Sequence, residues 1–346
     1  MPKILLVKTS SMGDVIHNLP VVSDIRAHFP EAEIDWVVEE SFAGIPALHP
    51  GVGTIIPVAV RRWRKNLVSR AVLAEISDFS KHLRGKTYDL VLDTQGLIKS
   101  GIITRLAQGA RCGFDRQSAR EPLAALFYDK TLRVAKSQHA VVRNRLLAGR
   151  ALGYSPDDPV NYGIAAPSLV LPWLPAAPFV VLLHATSRDD KLWPDADWVA
   201  LAAHLAGKGI NCVLPWGSGA EQQRSRRLAE RIPNAVVPPA LTLGQAAALL
   251  SQAVAVVGVD TGLVHLAAAL NTPALAIYCA SDPGLTGLYT SGRAVNLGRS
   301  GMPPDSASVI EALNGIVELS ISTQAPPSPQ PSPACGGGGK REGRLF

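Results

Sequence analysis

Short apolar runs alternate along this chain with longer stretches whose apolar residues recur near helical spacing. Ile4–Val7, Ile34–Val38, Thr54–Val58 and Leu90–Asp93 read as strands. Val15–His28, Ala71–Arg84 and Leu97–Ala107 lie between or after them and are long enough to be crossover helices of a parallel sheet. A helix around Gln138–Leu152 closes this half. Gly153–Pro178 follows, rich in Pro, Asp and Gly and without periodicity, and reads as a connection between domains. The alternation then restarts. Strands are predicted at Phe179–Leu183, Cys212–Leu214, Ala235–Val237, Val254–Val259 and Ala274–Tyr278. Helices are predicted near Trp198–Lys208, Ala220–Arg231, Thr242–Gln252, Gly262–Leu270 and Ala307–Leu319.

The fold class this predicts is α/β, with two Rossmann-like αβα domains facing across a cleft. The predicted bounds are 1–165 and 166–321, with 322–346 a disordered tail too poor in apolar residues to pack. A length of 346 residues agrees with two domains at about 150 residues each. The loops at the carboxyl ends of both sheets would face one ligand in the cleft, so chemistry is expected there.

With 47% hydrophobic and 18% charged residues the composition is that of a globular protein. No run approaches the roughly 18 apolar residues of a spanning helix, and Lys8 stops the first apolar run, which argues against a secretory signal. Cys112, Cys212, Cys279 and Cys335 are far apart, without the spacing of a zinc site or a disulfide framework. These features point to the cytoplasm. Charge is more informative once divided: residues 1–150 hold 22 Lys and Arg against 14 Asp and Glu, whereas the remainder is slightly acidic. A basic first half implies an anionic partner. Low aromatic content and the lack of a recognition motif argue against nucleic acid.

The first strand ends in Lys8-Thr9-Ser10-Ser11-Met12-Gly13-Asp14, with no GxGxxG or GxxxxGK[ST] pattern. Asp14 is either a helix N-cap or a general base at the sheet edge, and the two roles are compatible. His17, a turn later, is an alternative base or a packed residue. Arg61-Arg62-Trp63-Arg64-Lys65 is either a solvated loop or a clamp for a highly anionic acceptor, since guanidinium forks match carboxylate and phosphate oxygens.

In the second half, His184 to Pro194 opens at a strand end. The hydroxyls of Thr186 and Ser187, with Lys191, offer contacts to a diphosphate; the plain alternative is an ordinary βα loop. Asp260-Thr261-Gly262-Leu263-Val264-His265 places a DTG where a helix begins, a ready anion site, with Asp260 as N-cap the plain alternative. An aspartic protease is excluded by the surrounding βα units. His265 is either a core histidine or a ligand contact.

Taken together, KILLVKTSSMGDVIHNLP, WVVEESFAGIP, IIPVAVRRWRK, DTQGLIKS, AREPLA, HATSRDDKLWP, LPWG and VDTGLVHL strongly resemble glycosyltransferase family 9, the ADP-heptose:lipopolysaccharide heptosyltransferases. The resemblance runs from residue 3 to about 320. It implies GT-B architecture and inverting transfer of L-glycero-D-manno-heptose from ADP-L-glycero-β-D-manno-heptose to the first Kdo of Kdo2-lipid A. It further implies peripheral contact with the cytoplasmic face of the inner membrane. By the same resemblance Asp14 is the catalytic base. Thr186, Ser187 and Lys191 hold the donor diphosphate, Glu221 the ribose, and Leu241, Asp260, Thr261, Gly262 and His265 the rest of the donor. Lys8, Ser11, Arg61, Arg62, Arg64, Lys65, Gln95 and Arg120 fall to the acceptor. Two departures stand out: Ser187 where Thr is frequent, and Leu192 where His is usual.

The expected reaction needs a base on one side and relief of the leaving ADP's charge on the other. Lys191 and helix N–H groups supply that relief, so no metal or cofactor is expected; Asp189-Asp190 is the nearest thing to a metal-holding pair. The alternatives are a later-acting heptosyltransferase of the same family, a sugar-nucleotide epimerase of similar build, and a non-catalytic nucleotide-sugar binder.

Overall fold

The computed structural model describes residues 1–66, 68–176, 178–186 and 188–323. Strand β1 (Lys3–Val7) is buried from Ile4 onward on both faces, which is why its apolar run is continuous rather than alternating. It is followed by α1 (Met12–Ile16), α2 (Leu19–His28), β2 (Glu33–Glu39), β3 (Ile55–Val58), α3 (Val60–Trp63) and α4 (Arg70–Arg84). Next come β4 (Thr87–Asp93), α5 (Ile98–Leu106), β5 (Gln108–Phe114), β6 (Lys130–Leu132) and α6 (Ala140–Leu152). The strands pair in parallel in the order β3-β2-β1-β4-β5-β6, so the winding direction reverses between β1 and β4.

The second sheet begins at β7 (Phe179–Leu183), followed by α7 (Asp195–Ala206), β8 (Asn211–Val213), α8 (Gly219–Ala229), α9 (Leu243–Gln252) and β9 (Ala255–Val259). It continues with α10 (Gly262–Ala269), β10 (Ala274–Tyr278), α11 (Pro283–Thr286), β11 (Ala294–Gly298) and α12 (Ser306–Thr323). Its order is β11-β10-β9-β7-β8, again parallel, and the reversal falls between β7 and β9. In open α/β sheets the crevice outside the strand ends at such a reversal is where ligands sit. The fold therefore marks two crevices, one per sheet.

Several elements depart from the pattern-based expectation. The helix predicted over 15–28 is two helices, because Pro20 lacks the N–H an uninterrupted helix requires and instead opens α2. β5 and β11 are strands despite their glycines and arginine or asparagine, and β6 is a three-residue edge. The strand predicted at 235–237 is reduced to one bridge between Val213 and Val236. Part of the Arg61–Lys65 run is helical, and Trp63 is its anchor in the core beneath the first sheet. Residues 153–178 contain neither helix nor strand among those described, in keeping with a connection. The predicted tail lies outside the described residues from 324 on. Among the described residues no helix is long and apolar enough to cross a membrane.

The two sheets share a core. One apolar cluster runs from Ile4, Leu6 and Trp36 of the first sheet to Val181 and Val256 of the second and Val264 of α10. On the first sheet's flank, Arg145 of α6 holds Asp24 of α2 through two bonds of 2.7 and 2.9 Å, a bidentate pair buried on both sides.

Three histidines are folded in as neutral rings. His49, His139 and His184 are each pulled down to about 4, chiefly by burial. Their protonated forms are disfavoured in the folded state, so the unfolded chain binds more protons between the ordinary imidazole value and that depressed one. Stability is accordingly full above about pH 6.5 and is lost as pH falls toward 4. Urea midpoints measured across pH 7 to 5 are expected to fall before most carboxylates titrate; a flat profile over that range would contradict this assignment.

Candidate active site

At the first crevice, the loop after β1 is held from below. Gln95 Oε1 accepts from the N–H groups of Thr9 and Ser10 at 2.9 and 3.1 Å, and its Nε2 donates to Ser10 O. Asp93, fully buried, anchors the neighbouring loop by accepting from the N–H groups of Gln95 and Gly96 and from Tyr128. Lys8 is buried too, its Nζ donating to Thr94 O at 2.8 Å. Burial pulls the Lys8 ammonium below the ordinary lysine range, against the opposing pull of Asp14 and Asp93.

On this platform α1 begins, with Ser11 as N-cap and Asp14 as the third residue of a capping box. Asp14 is thus not the N-cap itself: its Oδ2 accepts from the N–H and Oγ of Ser11 at 2.8 and 3.0 Å. Among the described residues no hydrogen bond reaches its Oδ1. Lys99 donates to Ser10 Oγ at 2.7 Å and lies in the same field as Arg61, Arg64 and Asp14.

At the second crevice Asp260 is the hub. Its Oδ2 accepts from Lys191 Nζ and Ser281 Oγ, each at 2.6 Å, and His265 Nε2 lies 3.6 Å from its Oδ1. Burial opposes ionisation, but His265, Lys191 and Ser281 together hold this carboxyl well below the usual carboxylate range. Thr186 Oγ1 reaches Asp260 O at 3.4 Å, tying the loop after β7 to the loop after β9. Thr261, not Asp260, is the N-cap of α10, with no side-chain bond at that cap, so this helix start faces the gap with free N–H groups.

Both crevices open on one cavity of about 450 Å³, within the usual range for a small-molecule site. Ser11 and Arg61 line it from the first lobe. Thr186, Lys191, Asp260, Thr261, Gly262 and His265 line it from the second, together with Glu221 and Leu241. Glu221 Oε2 there accepts from Gly217 N at 2.7 Å. Asp14 sits on the adjoining turn, half-buried.

Other expected residues lie elsewhere. Lys8 and Gln95 are buried supports of the loop rather than cavity walls. Arg62 is turned to Glu40 and Glu75, which hold its guanidinium in the charged form. Arg64, Lys65 and Arg120 are exposed outside the cavity, although Arg120 is close enough to bear on Lys8. Ser187 lies outside the described residues. His17 is no solvent-facing base: it is buried against His265. Asp190, half of the pair considered for a metal, is engaged by Arg188.

Pattern reading did not single out Lys99, Ser281, Phe42 or Trp216. Trp216 lines the cavity with its Nε1 pinned to Pro238 O at 2.8 Å, and Phe42 lies under the Arg61 guanidinium. Trp216, Lys99 and Phe42 stand within the LPWG, DTQGLIKS and WVVEESFAGIP stretches, so those motifs were the available signal; Ser281 falls in none of them.

The lobes meet where the two loops touch. A Cβ on Gly262 would come within 2.6 Å of Met12 side-chain atoms, including Cβ, so α10 can start this close to α1 only with glycine. Gly262→Ala is expected to push the two loops apart, costing about 1–3 kcal/mol and weakening nucleotide binding. Thermal melts and ADP titration check this, and unchanged values in both would contradict the close fit.

The GT-B type fold, with the turn that carries Asp14 bordering the cavity from one lobe and Lys191 and the start of α10 lining it from the other, is that of a glycosyltransferase. The sequence pattern of glycosyltransferase family 9 (heptosyltransferase) matches residues 76–308, and the chain belongs to that family. It is 48% identical over 295 residues to lipopolysaccharide heptosyltransferase 1 of Escherichia coli O18:K1:H7 (strain RS218 / NMEC), covering 85% of this chain and 90% of the relative. Among solved structures, E. coli heptosyltransferase WaaC with ADP superposes with a TM-score of 0.84 at 44% identity, covering 91% of this chain and 99% of that one. The same enzyme with ADP-2-deoxy-2-fluoro heptose gives 0.80 at 43% identity, covering 92% and 99%.

Proposed function

We propose that this protein transfers L-glycero-D-manno-heptose from ADP-heptose to the first Kdo of Kdo2-lipid A, with inversion at the anomeric carbon. The observation that carries the proposal is the shared cavity: the Asp14 turn borders it on one side, Lys191 and the start of α10 on the other. Residues 1–165 would serve the acceptor and 166–321 the donor. The solved relative bound to an ADP-heptose analogue supports the donor, and the family's lipopolysaccharide relatives support the acceptor.

In this scheme an Asp14 carboxylate oxygen takes the proton of the Kdo hydroxyl as that oxygen attacks the anomeric carbon. The bond from that carbon to the ADP phosphate oxygen breaks, and ADP departs with the electron pair. Lys191 Nζ and the N–H groups of α10 take up the negative charge that develops there. Before donor arrives Asp260 holds Lys191 in place; the diphosphate then competes for the same ammonium. The Kdo carboxylates and lipid A phosphates match the positive first lobe, where Arg61 faces the cavity and Lys99 faces the Asp14 loop.

The test is to mix purified protein with ADP-heptose and Kdo2-lipid A, following ADP release and the anomeric configuration of the heptosylated lipid by NMR. Coupled release with an inverted linkage is expected. Release without a heptosylated lipid, or retention of configuration, would refute the proposal.

A further inference from the structure

We infer that His17 is a positioning residue for the donor site: its Nε2–H holds His265 in the tautomer that presents Nε2–H to Asp260. The inference rests on the donor assignment above. It is carried by a chain of buried groups crossing from one lobe to the other. His17 follows α1, on the same turn system as Asp14, and is only 2% exposed. Its Nε2 lies 3.2 Å from Nδ1 of His265, with the rings nearly perpendicular, and His265 is 5% exposed. The far nitrogen of His265, Nε2, faces Asp260 Oδ1 at 3.6 Å.

Two arguments give the same proton order. A bare Nε2 lone pair directed at the Asp260 carboxylate would be repelled, so the His265 proton sits on Nε2 and its Nδ1 is an acceptor. Only a His17 Nε2–H satisfies that acceptor. Independently, His17 Nδ1 is buried with no partner among the described residues. A buried lone pair without a partner is better tolerated than a buried N–H without one, which again leaves the His17 proton on Nε2. Burial, then the neighbouring His265 and His139 rings and Lys8, push His17 far below the usual imidazole range, so the ring carries a single proton. His139, at a ring separation of 5.4 Å, packs edge-on and is itself fixed by Gly287 O and by Val141 N–H.

The contact therefore has a task beyond packing. Asp260 orients Lys191, and His265 steadies Asp260 and lines the cavity. Without His17, His265 Nδ1 has no donor, its two neutral tautomers become competitive, and one of them aims a lone pair at Asp260. The Lys191 geometry that meets the diphosphate then depends on a residue of the opposite lobe.

The experiment reads tautomers and nucleotide binding rather than transfer. In histidine-labelled protein without ligand, 15N NMR is expected to show the His265 proton on Nε2 with Nδ1 as acceptor. In His17→Leu, His265 is expected to populate both tautomers, with ADP affinity by calorimetry down by up to about tenfold, the net size of one uncharged hydrogen bond. His17→Gln places an N–H near the lost imidazole Nε2–H and is expected to recover most of both signals. A role in packing alone would lower thermal stability in both variants and leave the His265 tautomer unmoved. A wild-type His265 with its proton on Nδ1 alone, or a His17→Leu variant with the wild-type tautomer and affinity, would overturn the inference. Because the wild-type spectrum needs neither heptose nor lipid, failure of heptosyl transfer would strike the functional reading and leave this test standing.

Discussion

Asp14→Asn is expected to lower turnover by about 10²- to 10⁴-fold while leaving the fold and ADP binding close to wild type. The carboxamide keeps an oxygen for the Ser11 N–H and Oγ, so the capping box that starts α1 loses little, on the order of 1 kcal/mol. What disappears is the ability to accept a proton from the attacking hydroxyl. The residues proposed to hold the donor line the cavity from the second lobe and do not pass through this carboxylate. Steady-state rates, ADP calorimetry and thermal melts on one preparation separate the two roles of Asp14. Wild-type turnover would reduce it to a cap; loss of folding would mean that the cap dominates.

Lys191→Ala is expected to reduce kcat by about 10²- to 10³-fold, more than it raises KM for the donor, because the charge on the departing ADP grows as the bond breaks. The same change removes the cation from Asp260, leaving that part-buried carboxylate to Ser281 and His265. The sign of the acid effect follows. A depressed folded-state carboxyl contributes stability above its unfolded value and loses it as pH falls through the folded one; a smaller depression moves that loss to higher pH. Acid unfolding of Lys191→Ala is therefore expected to begin at a higher pH than in wild type. An equal change in kcat and no change in KM would still fit transition-state stabilisation. A rise in KM with kcat unchanged would show that Lys191 only binds the donor.

The central strands could be read from the sequence because they are buried on both faces, which leaves runs such as Ile4–Val7 and Val180–Leu183 with no polar break. β6 and β11 are edges of their sheets, and β5, with Gly109, Arg111 and Gly113, is only half covered, so nothing in their composition marks them as strands. Much of the site was legible for a related reason. Strand ends at a winding reversal collect loops, and Asp14, Lys191 and Asp260 all follow such strands.

Direction was not legible. Lys8 and Gln95 have the residue types of a ligand site but turn inward to brace the loop, and Arg62 is claimed by Glu40 and Glu75 from two other segments. Ser281 reaches Asp260 from the end of β10, and His17 meets His265 across 248 positions of sequence. Spacing along a chain carries no trace of contacts of that kind.

The most direct test of a base and a leaving-group site sharing one sugar is a crystal structure with ADP-2-deoxy-2-fluoro heptose and a Kdo2 acceptor bound together. The expected result is an acceptor hydroxyl within about 2.6–3.2 Å of an Asp14 carboxylate oxygen, with the diphosphate against Lys191 and the first N–H groups of α10. An acceptor oxygen out of reach of Asp14, or a diphosphate lying away from Lys191, would contradict the account.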